Sequence, residues 1–414
     1  MGKAGKMNSV QFDYSAPRYL FGKLAGKAAK SFYWHRWLSC VRWRRMDIPR
    51  LPNSDWVRIK VKYGGICGSD VNLILLKDSP ATSPFVSFPF TIGHELVGTV
   101  DEAGVTVDNV RPGDRVVVDP LLSCAARGID DLCPHCQRGD YHLCHSMSGG
   151  GIAPGLLIGA CRDTGGSWSE YLVAHKSQVL TLPDNVSDLN GVLVEPFSCA
   201  LHAVLRNPPQ NGDTVLVIGA GTIGICVVAA IRALELPCRV VVLAKHPFQC
   251  ELASRYKADD VIRLTNKAQY IYETAETLGA RALQPLFGDP VVQGGADLVF
   301  ECVGTKQSIN DALRFARNGG RIVLLGLAGI LRSIDCTTVW LNELNVKGSF
   351  AYGVDEYEGR KRRTLQIAID LMQKGKVDLS PLITHRFPLE NYQEALRTVI
   401  YKGKGPVIKA VFEP

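Results

Sequence analysis

The chain has no long apolar run. Outside the stretch 214–234, nothing approaches 18 consecutive apolar residues, so no membrane span is expected. A secretory leader's apolar core is missing too, so no secretory signal is expected. There are no internal repeats and no low-complexity tracts, which leaves out solenoids and disordered linkers. Acids are scarce at one end: residues 1–45 hold ten Lys or Arg against one acid, Asp13. Disulfide density is absent as well. Thirteen cysteines in 414 residues do not make a disulfide scaffold, and several sit where metal binding explains them, so reduced thiols in a cytoplasmic setting are expected.

What is present is the composition of a globular protein, 46% hydrophobic and 21% charged. A chain of 414 residues buries more than one core, so two domains are expected. The net charge of +7 is mild and gives no ground for a nucleic-acid partner. Much of it lies in the N-terminal segment. There, residues 21–38 (FGKLAGKAAKSFYWHRWL) mix Lys, Arg and aromatics at roughly helical spacing. Such a stretch suits a membrane surface, an acidic partner or, faintly, a transit peptide. The plainer expectation is a solvated helix or arm packed on the first domain.

Residues 55–62 alternate in polarity and read as a half-buried strand, and 96–102 and 115–118 read as further strands among Gly- and Pro-rich loops. This predicts an irregular β-rich domain to about 185. From about 212 the pattern changes to short apolar runs (213–218, 239–243, 297–301, 321–325) separated by helix-length segments. Strands alternating with helices indicate βαβ units and a parallel sheet. The last stretch, 354–414, carries a helical segment at 363–374 and a strand at 407–412, and is expected to return to the first domain.

The first parallel strand runs into GAGTIG (219–224), which satisfies G-x-G-x-x-G between a strand and a helix. Gly219 permits the tight turn, Gly221 lets a pyrophosphate approach the backbone, and Gly224 lets helix and strand pack closely. Thr222 and Ile223 open the helix whose positive end would meet the phosphates. About 20 residues on, an acid usually binds the ribose 2′-hydroxyl. Here Ala244 stands in that place, followed by Lys245 and His246. A missing anion beside a cation favours a 2′-phosphate, hence NADP over NAD.

Two clusters have metal-ligand chemistry. Cys67 in GICGSD and His94-Glu95 in GHE offer a thiolate, an imidazole and a carboxylate. A catalytic zinc takes three protein ligands and keeps one position open. Candidates for the third ligand are Glu95, Glu195 in LVEPFSCALHA, and the neighbouring Cys199 and His202. The second cluster, Cys133, Cys136 and Cys144, is all thiolate, as in a closed structural site. Cys124 and Asp130 compete to be its fourth member. One open and one closed site point to an enzyme.

These motifs, with PGDRV (112–116), the EP of 195–196, DLVFECVG (297–304) and THRFPL (384–389), resemble the zinc-containing medium-chain dehydrogenase/reductase superfamily. Within it they are most similar to the sorbitol, threonine and related polyol dehydrogenase branch, over about residues 55–414. The resemblance implies an α/β protein: a GroES-like β-rich catalytic domain and a Rossmann domain with a doubly wound parallel sheet. After a basic N-terminal arm (1–45) without a counterpart in that family, the chain is expected to form a catalytic domain (46–203) with a structural-zinc lobe (about 120–146), a dinucleotide domain (204–350) and a returning C-terminal segment (351–414). The resemblance implies one catalytic and one structural zinc, a nicotinamide cofactor, an alcohol or carbonyl substrate, and homodimers or homotetramers. By position, Cys67 and His94 match catalytic zinc ligands, Glu195 the third ligand, and Glu95 an acid that can also reach the metal. Ser69 matches the hydroxyl that relays the substrate proton, and Asp70 the acid that holds the zinc histidine. Cys124, Cys133, Cys136 and Cys144 match the structural site.

Some positions depart from that pattern. Asn72 stands where many relatives carry histidine, eight residues separate Cys124 from Cys133, and residues 281–295 look like an added loop. The implied activity is reversible oxidation of a secondary alcohol or polyol. A zinc-independent enone or quinone reductase of the same fold, and a catalytically silent binding or regulatory relative, are the competing readings.

Overall fold

Two antiparallel strands open the chain, β1 (Lys6–Phe12) and β2 (Val41–Asp47), in register from Lys6↔Asp47 to Phe12↔Val41. Their connection is itself folded, as helix α1 (Ala16–Ala28) and a 3-10 turn, Lys30–Trp34. A proline in the first turn suits the start of α1. Val10, Phe12, Trp34 and Val41 are buried in one hydrophobic cluster with residues from later in the chain. The segment expected as a basic arm is therefore part of a core. Its strands went unread because polar Asn8, Ser9 and Gln11 interrupt the apolar residues of β1, and β2 carries three arginines in seven residues.

This computed structural model describes residues 5–265, 267–401 and 405–414. They form two compact units: residues up to Glu195 with Leu365–Pro414, and Pro196–Thr364. In the first, β3 (Trp56–Gly65) buries Trp56, Val57, Ile59 and Val61 and exposes Lys60 and Lys62, as its alternation requires. It leads into helix α2 (Gly68–Ile74); the short strand β4 (Phe90–Thr91) and β5 (Leu96–Ala103) follow. The main sheet runs Ile383–Pro388, Lys409–Glu413, β3, β5, Arg115–Val118, Val179–Thr181, with Tyr171–His175 also paired to β3. β1 joins β2 to β4, placing it beside the turn that carries His94.

The second unit holds six parallel strands in the spatial order 260–263, 239–244, 214–218, 296–301, 316–324, 345–348. In chain order this is third, second, first, fourth, fifth, sixth, the doubly wound arrangement that binds dinucleotides where the order reverses. The added residues 281–295 form a hairpin, Arg281–Leu283 with Val291–Gln293. Among the described residues, no helix is long and apolar enough to cross a membrane.

Candidate metal centre and dinucleotide crevice

One ligand atom from each of Cys67, His94 and Glu95 lies within 4.8 Å of the other two. Local structure brings them there. Cys67 caps α2, directly after β3. Gly93, at φ +96, turns the chain from β4 toward β5, and its successors His94 and Glu95 are buried, at 8% and 1% exposure. A Cβ at Gly65 would overlap the Glu95 carboxylate, so glycine is required where β3 passes it. Thiolate, imidazole and carboxylate together suit zinc.

Asp70 serves two of these groups. Its Oδ2 accepts the Cys67 backbone N–H at 2.8 Å, and its Oδ1 lies 3.6 Å from His94 Nδ1. Burial opposes charge on His94, but Asp70 and Cys67 outweigh it and hold the imidazole well above its ordinary range. A metal ion bound through this imidazole would compete with a proton. Ser69 Oγ is buried and has no hydrogen-bond partner among the described residues. A shielded hydroxyl left this way is uncommon in a folded protein and marks a candidate functional group.

Glu195 is buried near the start of helix Val194–Arg206, and its carboxylate is not one of the three clustered groups. Within the second unit, His202 Nδ1 lies 2.7 Å from Asp355 Oδ2. Sequence reasoning missed Lys409. Its ammonium pairs with Glu95 Oε2, and the two side chains are 2% and 1% exposed. Burial disfavours the charge, yet Glu95, then Cys67, raise the Lys409 pKa above its ordinary value. The signal was there: Lys409 is the one charge in the apolar run 407–412.

The second cluster gathers Cys124, Cys133, Cys136 and Cys144, again within 4.8 Å of one another. Cys124 Sγ is 3.5 Å from Cys144 Sγ and accepts the Cys133 backbone N–H at 3.5 Å. Asp130, on the loop between, is exposed and outside the group. Burial raises Cys136 and Cys144. It acts the same way on Cys133, where bonds to the backbone of Cys136 and His145 overcome it and lower the thiol to about 6. Arg127, 1% exposed, braces the lobe by donating to Leu122 O at 2.9 Å and Gly149 O at 2.8 Å.

In the parallel sheet, Gly219 has φ +98 at the end of strand Thr214–Ile218, and a Cβ at Gly224 would overlap Gly219 O. Gly221 caps helix Thr222–Ala233 and faces open space, which leaves its backbone free to approach a phosphate. Ala244 ends strand Arg239–Ala244, and Lys245 beyond it is exposed. The Glu301 carboxylate, fully buried, accepts the Val303 and Gly304 backbone N–H groups at 2.8 Å and shapes the neighbouring turn.

Residues 53–184 match the family model of the alcohol dehydrogenase GroES-like domain, and residues 222–373 match that of zinc-binding dehydrogenases. The chain is 32% identical to L-idonate 5-dehydrogenase of Vitis vinifera over 88% of this chain and 89% of that one. It is 30% identical to sorbitol dehydrogenase of Homo sapiens, over 90% and 93% respectively. Among solved structures, galactitol-1-phosphate dehydrogenase of Escherichia coli matches with a TM-score of 0.69 and 25% identity, covering 98% of this chain and 100% of that one. A zinc-binding dehydrogenase of Sinorhizobium meliloti 1021 solved with NADP bound matches with a TM-score of 0.72 and 25% identity, covering 99% and 100%.

Proposed function

The chain belongs to the zinc-dependent medium-chain dehydrogenase/reductase superfamily, in its polyol dehydrogenase branch, and on that footing we propose that it oxidises a polyol at a secondary hydroxyl, reversibly, with NADP preferred over NAD. The observation that carries this reading is the trio Cys67, His94 and Glu95, the last two buried, beside a Ser69 hydroxyl that has no hydrogen-bond partner among the described residues.

Cys67 and His94 would hold a catalytic zinc together with a glutamate. Glu95 is the carboxylate already gathered with them, and Glu195 is the third ligand that the family pattern gives. Zinc, when bound, supplies Lewis acidity that eases loss of the alcohol proton. The nicotinamide supplies the hydride acceptor. Asp70 fixes the orientation of His94 and ties it to the Cys67 backbone, as outer carboxylates of metal histidines do. Ser69 Oγ takes the proton of the substrate hydroxyl and passes it outward. Gly221 and the start of helix Thr222–Ala233 would receive the pyrophosphate. Exposed Lys245 would attract a 2′-phosphate at a position where an acid would repel it.

The four-cysteine lobe would hold a second, structural zinc, since an all-thiolate tetrad leaves no open position. The proposal extends to a homodimer or homotetramer and to a cytoplasmic setting, the latter because thirteen cysteines in 414 residues do not have the density of a disulfide framework.

The test is oxidation of sorbitol, L-idonate, xylitol and L-threonine with NADP and with NAD, followed by absorbance of the reduced nicotinamide, alongside zinc analysis. Cys67→Ala should lose turnover and one zinc while still binding the dinucleotide. Undiminished turnover by Cys67→Ala protein stripped of metal would refute the proposal, and would favour the zinc-independent reductase reading.

A further inference from the structure

A hairpin can close in two residues, yet the chain between β1 and β2 runs through α1 and the turn Lys30–Trp34. This inserted segment packs on α2, the helix that Cys67 caps. Trp34 shares a buried cluster with Ile74, Leu75 and Leu76, and Tyr19 and Tyr33 pack against it. A Cβ at Gly22 would stand 2.9 Å from Leu76 Cδ1, so the backbone of α1 lies directly on that side chain. Lys23 Nζ donates to Leu76 O. Leu76, just past the end of α2, is buried and held at φ 55, a left-handed conformation that side chains with a Cβ avoid. The same hairpin reaches the other ligand-bearing turn: Ile92 N donates to Val10 O at 3.0 Å, two residues before His94.

We infer that the segment inserted between β1 and β2 is a clamp on the catalytic metal site, and that Lys23 is a positioning residue for Cys67, acting through α2. The helix has seven residues, too few to be stable alone, so its place is set by what packs at its two ends. At its start, Asp70 holds the Cys67 backbone. Past its finish, a charge-assisted bond from Lys23 holds the Leu76 carbonyl and with it the left-handed turn. Releasing that bond lets Leu76 leave its disfavoured conformation, and the rod-like α2 shifts with Cys67 on its tip. The inference rests on the reading of Cys67, His94 and a glutamate as a zinc site.

The experiment uses full-length protein and zinc release to a colorimetric chelator. Wild type should contain two zinc ions per chain and release them in two phases. Cys124→Ser, which lacks a lobe thiolate, identifies which phase belongs to the lobe. Lys23→Met should speed the other phase about tenfold, leave the lobe phase unchanged and keep the wild-type thermal midpoint. Lys23→Arg should restore the wild-type rate, because a guanidinium also donates to the carbonyl. An unchanged release rate in Lys23→Met, or equal acceleration of both phases, overturns the clamp while leaving the zinc reading intact. Absence of the non-lobe zinc from wild-type protein overturns the zinc reading itself, and the clamp with it.

Discussion

Lys409 and Glu95 form an ion pair from which water is almost wholly excluded, and Glu95 is at the same time one of three donors gathered for a metal. The strand Lys409–Glu413 pairs antiparallel with β3 (Val411↔Gly65), which brings the lysine to the acid. Lys409 thus neutralises a carboxylate that would otherwise add a second negative charge beside Cys67.

Breaking a buried pair from one side leaves an uncompensated charge. Lys409→Met should destabilise the protein by about 3–5 kcal/mol. The double variant Lys409→Met/Glu95→Gln should recover most of that loss, since neither charge then remains buried. Urea unfolding of the wild type, both single variants and the double variant measures the coupling. Additive losses would mean that the pair is not energetically linked.

The lobe predicts a contrast between two neighbours in sequence. Cys124→Ser should lower zinc content by one ion per chain and lower the thermal midpoint. Asp130→Ala should change neither, because Asp130 is exposed and outside the tetrad. Metal analysis with calorimetry decides it, and loss of zinc in Asp130→Ala would reverse the assignment.

Cofactor preference should turn on Lys245. A charge-assisted contact to a 2′-phosphate is worth about 1.5–3 kcal/mol. Lys245→Ala should therefore raise KM for NADP about tenfold or more and leave KM for NAD within about twofold. Equal effects on both cofactors would place the lysine away from the 2′-phosphate.

Acid stability should depend on Asp355. Burial works to raise this carboxyl, but its bonds to His202, Arg206 and Thr364 prevail and its pKa is lowered. The unfolded chain, with an aspartate near 3.9, then binds a proton at a higher pH than the folded one. The stabilisation is complete above about pH 4 and is lost as pH falls through the lowered value. Asp355→Asn should cost about 3 kcal/mol at neutral pH and flatten the dependence on pH below about 4. Urea midpoints at pH 7 and pH 3 test both parts, and an unchanged slope would contradict the assignment.

Much of the site was legible from spacing. Cys133, Cys136 and Cys144 lie within 12 residues, and strand, GAGTIG and helix within 20, so each carries its geometry locally. The parallel sheet followed from alternation of apolar runs with helix-length segments, since parallel strands need long crossover connections, which are usually helices. The hairpin formed by residues 281–295 was visible only as an addition, because its strands have three residues each.

By itself, then, the sequence determined the chemistry on offer: two sets of candidate metal ligands, a glycine-rich turn of the phosphate-binding pattern, and a neutral residue followed by a cation where a ribose acid is usual. Only the tertiary structure decided which donors meet. It chose Cys124 over Asp130 by burying one and exposing the other. It folded the basic N-terminal segment into the core, against the helix that carries Cys67. It also set Lys409 against Glu95 across more than 300 residues. The physical reason is that strand pairing and helix packing join residues without regard to their separation along the chain, so no local pattern records them.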